Sequence, residues 1–246
     1  MTEFTIGIAG RNIRIRAIYE HAKEYCRDYL SCGEPDFTVE IAPEDIEFEQ
    51  VKSAREDEVE GRAVIQHTQQ YLETLAIYRK IVEKMLDYNA FLFHGSAICM
   101  NGEGFLFTAK SGTGKSTHTR IWRRVFGEEV IVVNDDKPLL LVGEDAVMIC
   151  GTPWDGKHRR STNIMVPLRG IAILERGEEN EIAPVDASTA LPLLLQQSYR
   201  PSNPAALMET LKLLEQVMNK VGLYRLKCTI SREAAHVAYN GMKGKD

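Results

Sequence analysis

The segment Ala109-Lys110-Ser111-Gly112-Thr113-Gly114-Lys115-Ser116 constrains this chain more than any other. It matches the phosphate-cradling pattern G-x-x-x-x-G-K-[ST] at every defined position but the first, where alanine stands in place of glycine. Such a loop needs glycines so that successive N–H groups turn inward toward an anion. It also needs a lysine for the outer phosphates and a hydroxyl, here that of Ser116, for Mg²⁺. The flanks agree: Gly104 to Thr108 reads as a short buried strand, and Ser116 to Val125 as a helix whose N-terminus also faces the anion. The expected nucleotide contacts are Ser111, Gly112, Thr113, Gly114, Lys115, Ser116 and Thr117, with ATP and Mg²⁺ as ligands. Ala109 requires either an ordinary φ at the first loop position or a strained loop, because alanine tolerates positive φ poorly.

The 246 residues suffice for one large domain, or for a domain and a small appendage. Net charge is −5, so no general attraction to nucleic acid or to a membrane surface is expected. The five cysteines (Cys26, Cys32, Cys99, Cys150, Cys228) are scattered, with no C-x-x-C pair, and read as reduced thiols. The N-terminus lacks a basic segment followed by an apolar one, and no apolar run is long enough to span a bilayer. These features lead to the expectation of a cytoplasmic protein.

Residues 1–60 read as a small N-terminal α+β module, and residues 61–246 as the phosphate-loop domain. In the first, Phe4 to Ile8 and Ile13 to Ala17 alternate apolar and polar residues around a turn at Gly10-Arg11-Asn12, which predicts a hairpin. Tyr19 to Leu30 reads as a helix and Phe37 to Ile41 as a third strand. Glu44 to Glu60 is strongly acidic and reads as a solvated face or connecting loop, or alternatively as a docking surface. Tyr71, Leu75, Tyr78, Val82 and Met85 recur at helical spacing and predict one buried stripe. Short strands then crowd together between residues 91 and 150, implying a mixed sheet. A strand at Gly170 to Leu174, a helix opening at Asn203-Pro204, a strand at Val221 to Cys228 and a final helix capped by Ser231 complete the reading.

Asp135-Asp136 follows the apolar run Val130 to Val133. Handling Mg·ATP takes one carboxylate for the metal and one to accept a proton from the attacking hydroxyl. Neighbours on a strand point to opposite faces, so the pair can share that work only if the chain turns, which Asn134 and Pro138 favour. His94-Gly95 ends another short strand; the histidine is either structural or near the reacting groups. The loop Gly151 to Arg160 carries Trp154, Lys157, His158, Arg159 and Arg160. Trp154 is either a stacking platform or a core plug, and Lys157 or the arginines are candidates to meet a transferring phosphate.

In series, His94-Gly95, the loop Ser111 to Ser116 and Asp135-Asp136 resemble the HPr kinase/phosphorylase family. That family shares its nucleotide-binding core with the ATP-dependent phosphoenolpyruvate carboxykinases. Gly151 to Lys157 resembles a loop of smaller HPr-kinase-related proteins found beside peptide-modification systems. The resemblance covers about residues 90–160. It implies an α/β fold with a mixed β-sheet P-loop core and an ATP-dependent serine kinase acting on a peptide, small protein or small molecule. In that picture Asp135 is the base, Ser116 and Asp136 hold Mg²⁺, and Lys115, His94 and Lys157 assist at the phosphoryl group. The Glu-Ile-Arg-Gly-type segment of the HPr kinases, with its metal-binding glutamate, has no counterpart here, and Asp155 is a candidate substitute. The alternatives are a carboxykinase-like metabolic enzyme, or a nucleotide-binding scaffold or sensor without turnover.

Overall fold

The structure is a computed structural model that describes residues 1–59, 61, 63–110 and 112–243. The chain divides into two compact units, Met1–Lys84 and Met85–Asp246.

In the first unit β1 (Thr2–Ile8) and β2 (Arg11–Ala17) form the expected antiparallel hairpin. After a short helix α1 (His21–Tyr25), β3 (Phe37–Glu40) adds in parallel to β2. The alternation is literal: Phe4, Ile6, Ile8, Ile13, Ile15 and Ala17 are all buried. The helix expected over Tyr19 to Leu30 is shorter, since a separate 3₁₀ turn covers Arg27–Tyr29. The acidic stretch is neither loop nor uniformly solvated. It forms α2 (Pro43–Val59), and its Asp45 and Glu49 meet Arg79 of α3 (Gln69–Met85) at 3.2 and 2.6 Å. Glu73 of α3 is fully buried and accepts the backbone N–H groups of Ile18 and Tyr19. These ties place α3 with the first unit, so the division falls later than residue 60. The buried face of α3 is also broader than a single stripe, taking in Leu72, Ala76, Ile77 and Ile81 and leaving Tyr71 exposed.

The second unit holds β4 (Ala90–Leu92), β5 (Ser96–Met100), β6 (Glu103–Thr108), α4 (Lys115–Phe126) and β7 (Val130–Asn134). Next come β8 (Leu139–Val142), β9 (Val147–Cys150), the long β10 (Met165–Arg176) and β11 (Glu181–Pro184). The chain ends with α5 (Ala187–Gln197), α6 (Pro204–Lys220), β12 (Gly222–Cys228) and α7 (Arg232–Met242). Among the described residues nine strands make one mixed sheet in the order β4-β8-β9-β10-β6-β5-β7, with β12 on β10 and β11 on β12.

Strands buried on both faces need apolar residues at successive positions, which Phe105-Leu106-Phe107 supplies. Phe105 and Phe107 pack with Trp122 of α4 and Ala235 and Ala238 of α7, while Leu106 faces Leu194 of α5 and Leu213 and Val217 of α6. The result is a sheet between two helical layers, and its registers position the site. β6 runs parallel to β10, which runs parallel to β12. β5 is antiparallel to both β6 and β7. The C-terminal ends of β6, β7, β10 and β12, and the N-terminal end of β5, therefore emerge along the same edge. Ligands of open α/β sheets bind at that edge.

Candidate active site

The loop after β6 opens α4 as expected. Gly112 and Gly114 have φ of +74° and +125°, a region closed to most side chains. Ala109 is not among the residues with positive φ and is 1% exposed, packed in the core with Phe107 and Trp122. The alanine therefore carries no strain of that kind, and the loop's turn begins after it. The Lys115 ammonium reaches back to the Ala109 carbonyl at 3.4 Å. Burial lowers its pKa, against the opposing charges of Asp136 and Asp135.

Both carboxylates come to this lysine because β7 ends in an Asx turn. Asn134, fully buried, accepts the N–H groups of Asp136 and Lys137 through Oδ1 at 2.8 and 2.7 Å, and donates from Nδ2 to the Thr152 carbonyl at 2.9 Å. The chain reverses at that point, so the two side chains escape strand alternation. Asp136 turns to His94, whose Nε2 stands 3.1 Å from Oδ1. Burial works against the Asp136 charge, yet the His94 hydrogen bond and the nearby Lys137 and Lys115 hold the carboxyl below its usual range. Asp135 takes a different course. Its Oδ1 accepts the Ser96 hydroxyl and, at 3.4 Å, that of Thr119, while Oδ2 has no hydrogen bond among the described residues. His94 and Ser96 arrive from the start of β5, where Gly95 lies so close to β6 that a Cβ would meet Leu106 at 2.7 Å and the Phe107 carbonyl at 3.0 Å. The Gly95 N–H donates to the Asp136 carbonyl at 3.0 Å, tying the two segments together.

Beside the loop lies a cavity of ≈ 660 Å³, walled by Gly114, Thr117 and His118 on one side and by Leu174, Arg176 and Thr229 at the ends of β10 and β12 on the other. Its size suits a nucleoside. Arg176 latches the loop by donating to the Gly112 carbonyl at 2.7 Å. His118 is a core residue: the Trp122 indole donates to its Nε2 at 3.0 Å, and burial pushes its pKa down to about 4. Trp154 is 2% exposed, which makes it a plug and removes it as a stacking platform. Asp155, also buried, has its pKa raised by burial and by the charge of Asp135, against the Ser161 hydrogen bond at 2.9 Å and the nearby Arg159.

Thus Gly112, Thr113, Gly114, Lys115, Ser116 and Thr117 lie at one edge with His94, Asp135 and Asp136. Ser111 and the Lys157 side chain fall outside the described residues. The sequence reading missed Ser96 and Thr119, which orient Asp135, and Arg176. A signal existed for Thr119: it stands one helical turn after Ser116, on the same face of α4. Among the described residues no group of three or more His, Cys, Asp or Glu forms a metal cage. No helix of these residues is long and apolar enough to cross a membrane.

A family model described as SynChlorMet cassette protein ScmC matches residues 62–234. The chain belongs to the ScmC family. The ScmC span contains the glycine loop before α4, both aspartates, His94, Ser96 and the whole wall of the cavity. No curated protein matches the chain. Among solved structures, the HPr(Ser) kinase/phosphatase from Coxiella burnetii is a distant likeness. Its TM-score is 0.36 at 13% identity, over 61% of this chain and 94% of that one.

Proposed function

We propose that this ScmC protein is an ATP-dependent phosphotransferase that moves a phosphoryl group to a hydroxyl, a serine of a peptide or small protein being the expected acceptor. The observation carrying this reading is the meeting of Lys115, Asp135 and Asp136 at one sheet edge, beside a cavity of nucleoside size. The residues fit Mg·ATP on their own chemistry. The glycine loop opens onto a helix N-terminus without a side-chain cap, and Lys115 sits partly buried among opposite charges. Magnesium keeps several waters and takes only one or two protein ligands plus phosphate, a role the Ser116 hydroxyl and the Asp136 carboxylate would fill.

Bound Mg·ATP supplies the transferable phosphoryl group and the charge that shields it. The chain's own residues then do four things. The loop N–H groups and Lys115 fix the phosphates, and Ser116 and Asp136 hold the metal. His94 keeps Asp136 ionised and pointed. Asp135, held at Oδ1 by Ser96 and Thr119, offers Oδ2 to the proton of the incoming hydroxyl. Transfer needs little covalent help, so positioning and charge neutralisation carry the rate.

The test is calorimetric titration with Mg·ATP, followed by incubation with γ-labelled ATP and serine peptides. Saturable binding that Lys115→Ala abolishes, with label appearing on serine, supports the reading. Failure of the wild-type protein to bind nucleotide sinks it.

A further inference from the structure

Next to Asp135 the chain gathers positive charge that it does not neutralise. A small cleft of ≈ 30 Å³ is lined by Ser116, Thr119 and Asp135 and rimmed by Arg120, Arg123 and Arg160. Ser116, Thr119, Arg120 and Arg123 share a face of α4, the spacing of a helical stripe. Arg160 comes from the loop after β9 and is held in place by its neighbours. Ser161 bridges to Asn134, and the Thr162 N–H donates to the Val133 carbonyl at 3.2 Å.

All three guanidinium groups are on exposed residues, and among the described residues none is paired with a carboxylate. Among the described residues Arg120 reaches only the Thr117 hydroxyl, at 3.3 Å. Elsewhere the same side chain finds acidic partners, as Arg79 does with Asp45 and Glu49. In a chain of net charge −5, three unpaired arginines around one carboxylate mark a place prepared for an anion.

That anion is not the nucleotide's base or sugar end. The large cavity takes Gly114, Thr117, His118 and Ile121, whereas the arginines stand on the neighbouring face of the helix, with Ser116 and Thr119. A duplex or long nucleic acid would call for basic surface well beyond one cleft, against the acidic balance of the chain.

We propose that the acceptor is an acidic peptide: its hydroxyl enters the cleft at Asp135, and carboxylates on either side of it dock on Arg120, Arg123 and Arg160. The inference rests on the phosphotransfer reading and names its substrate class. The same charges select against a basic peptide, since like charges meeting at a rim cost affinity and slow encounter.

The experiment measures fluorescence anisotropy of three labelled probes, the peptides Asp-Glu-Ser-Glu-Asp and Lys-Arg-Ser-Arg-Lys and a single-stranded oligonucleotide, on the full chain with Mg·ADP. The wild type is compared with the triple variant Arg120→Gln/Arg123→Gln/Arg160→Gln and with the exposed control Arg124→Gln, and ADP affinity is read by calorimetry in each. The expected result is preferential binding of the acidic peptide, weakened about tenfold or more by the triple variant and by added salt, with Arg124→Gln and ADP affinity unchanged. Equal binding of the basic peptide, tighter binding of the oligonucleotide, or an unaffected triple variant overturns the proposal. So does loss of ADP affinity in the triple variant, which assigns the arginines to the nucleotide. ADP binding without acidic-peptide binding defeats this inference alone; loss of nucleotide binding in the wild type defeats the phosphotransfer reading beneath it.

Discussion

His94 Nε2 stands 3.1 Å from Asp136 Oδ1, and the N–H of the next residue, Gly95, donates to the Asp136 carbonyl at 3.0 Å. One aspartate is thus gripped by side chain and backbone of the same dipeptide, while its neighbour, Asp135, answers to Ser96 and Thr119. Two adjacent carboxylates given separate partners can do separate work.

That grip has a signature in acid. Asp136 is held below the ordinary 3.8 of its side chain, so the folded protein binds fewer protons there than the unfolded chain does. Its contribution to stability is complete above pH 3.8 and is lost as the pH falls through the folded value. Urea midpoints measured at decreasing pH should therefore fall more steeply for the wild type than for His94→Ala across this range. Superimposable curves would show that the histidine does not hold the carboxylate.

Lys115→Ala should abolish nucleotide binding, whereas Asp135→Asn should retain it. Each should cost on the order of 10²-fold or more in phosphoryl transfer, about 3 kcal/mol of transition-state stabilisation. Calorimetry and a label-transfer assay on the same preparations separate the two effects. Full transfer by both variants would remove these residues from the mechanism.

Ala109→Gly restores the usual first residue of the loop, yet nothing should be gained. Ala109 already has an ordinary φ and its methyl group is in the core. The glycine should leave ADP affinity unchanged and lower stability by about 1 kcal/mol, through the greater freedom of the unfolded chain and the lost packing. Thermal melts with and without ADP measure both quantities.

In the first unit, Glu73→Ala should destabilise by about 2 kcal/mol, because it leaves the half-buried N–H groups of Ile18 and Tyr19 without their carboxylate partner. Denaturant unfolding of the full chain, followed by a probe in residues 1–84, reads the loss directly.

The strands were legible wherever alternation or a short apolar run was bounded by turn residues, as in the β1–β2 hairpin and in β5 through β9. The turn between β6 and α4 was legible because its glycines mark it, and Gly112 and Gly114 do take positive φ. What stayed hidden depended on pairing across sequence distance. Asp186 caps the helix Ala187–Gln197 by accepting the Thr189 N–H, but Pro192 interrupts its pattern, and the helix is held by its face against Leu213 and Leu214. The acidic run looked solvated because its partners, Arg79 and Lys80, lie beyond the next loop. Likewise, Ser96 and Thr119 are unremarkable polar residues until the sheet and α4 bring them to Asp135. The Trp154 question was settled by burial alone.

Asp135 leaves the fold with one oxygen fastened and the other open to the cleft. Whatever arrives there meets a group already aimed: the rotational freedom of that side chain was surrendered when the chain folded. A visitor must match that fixed bearing, and the match itself becomes a filter on what the protein will accept.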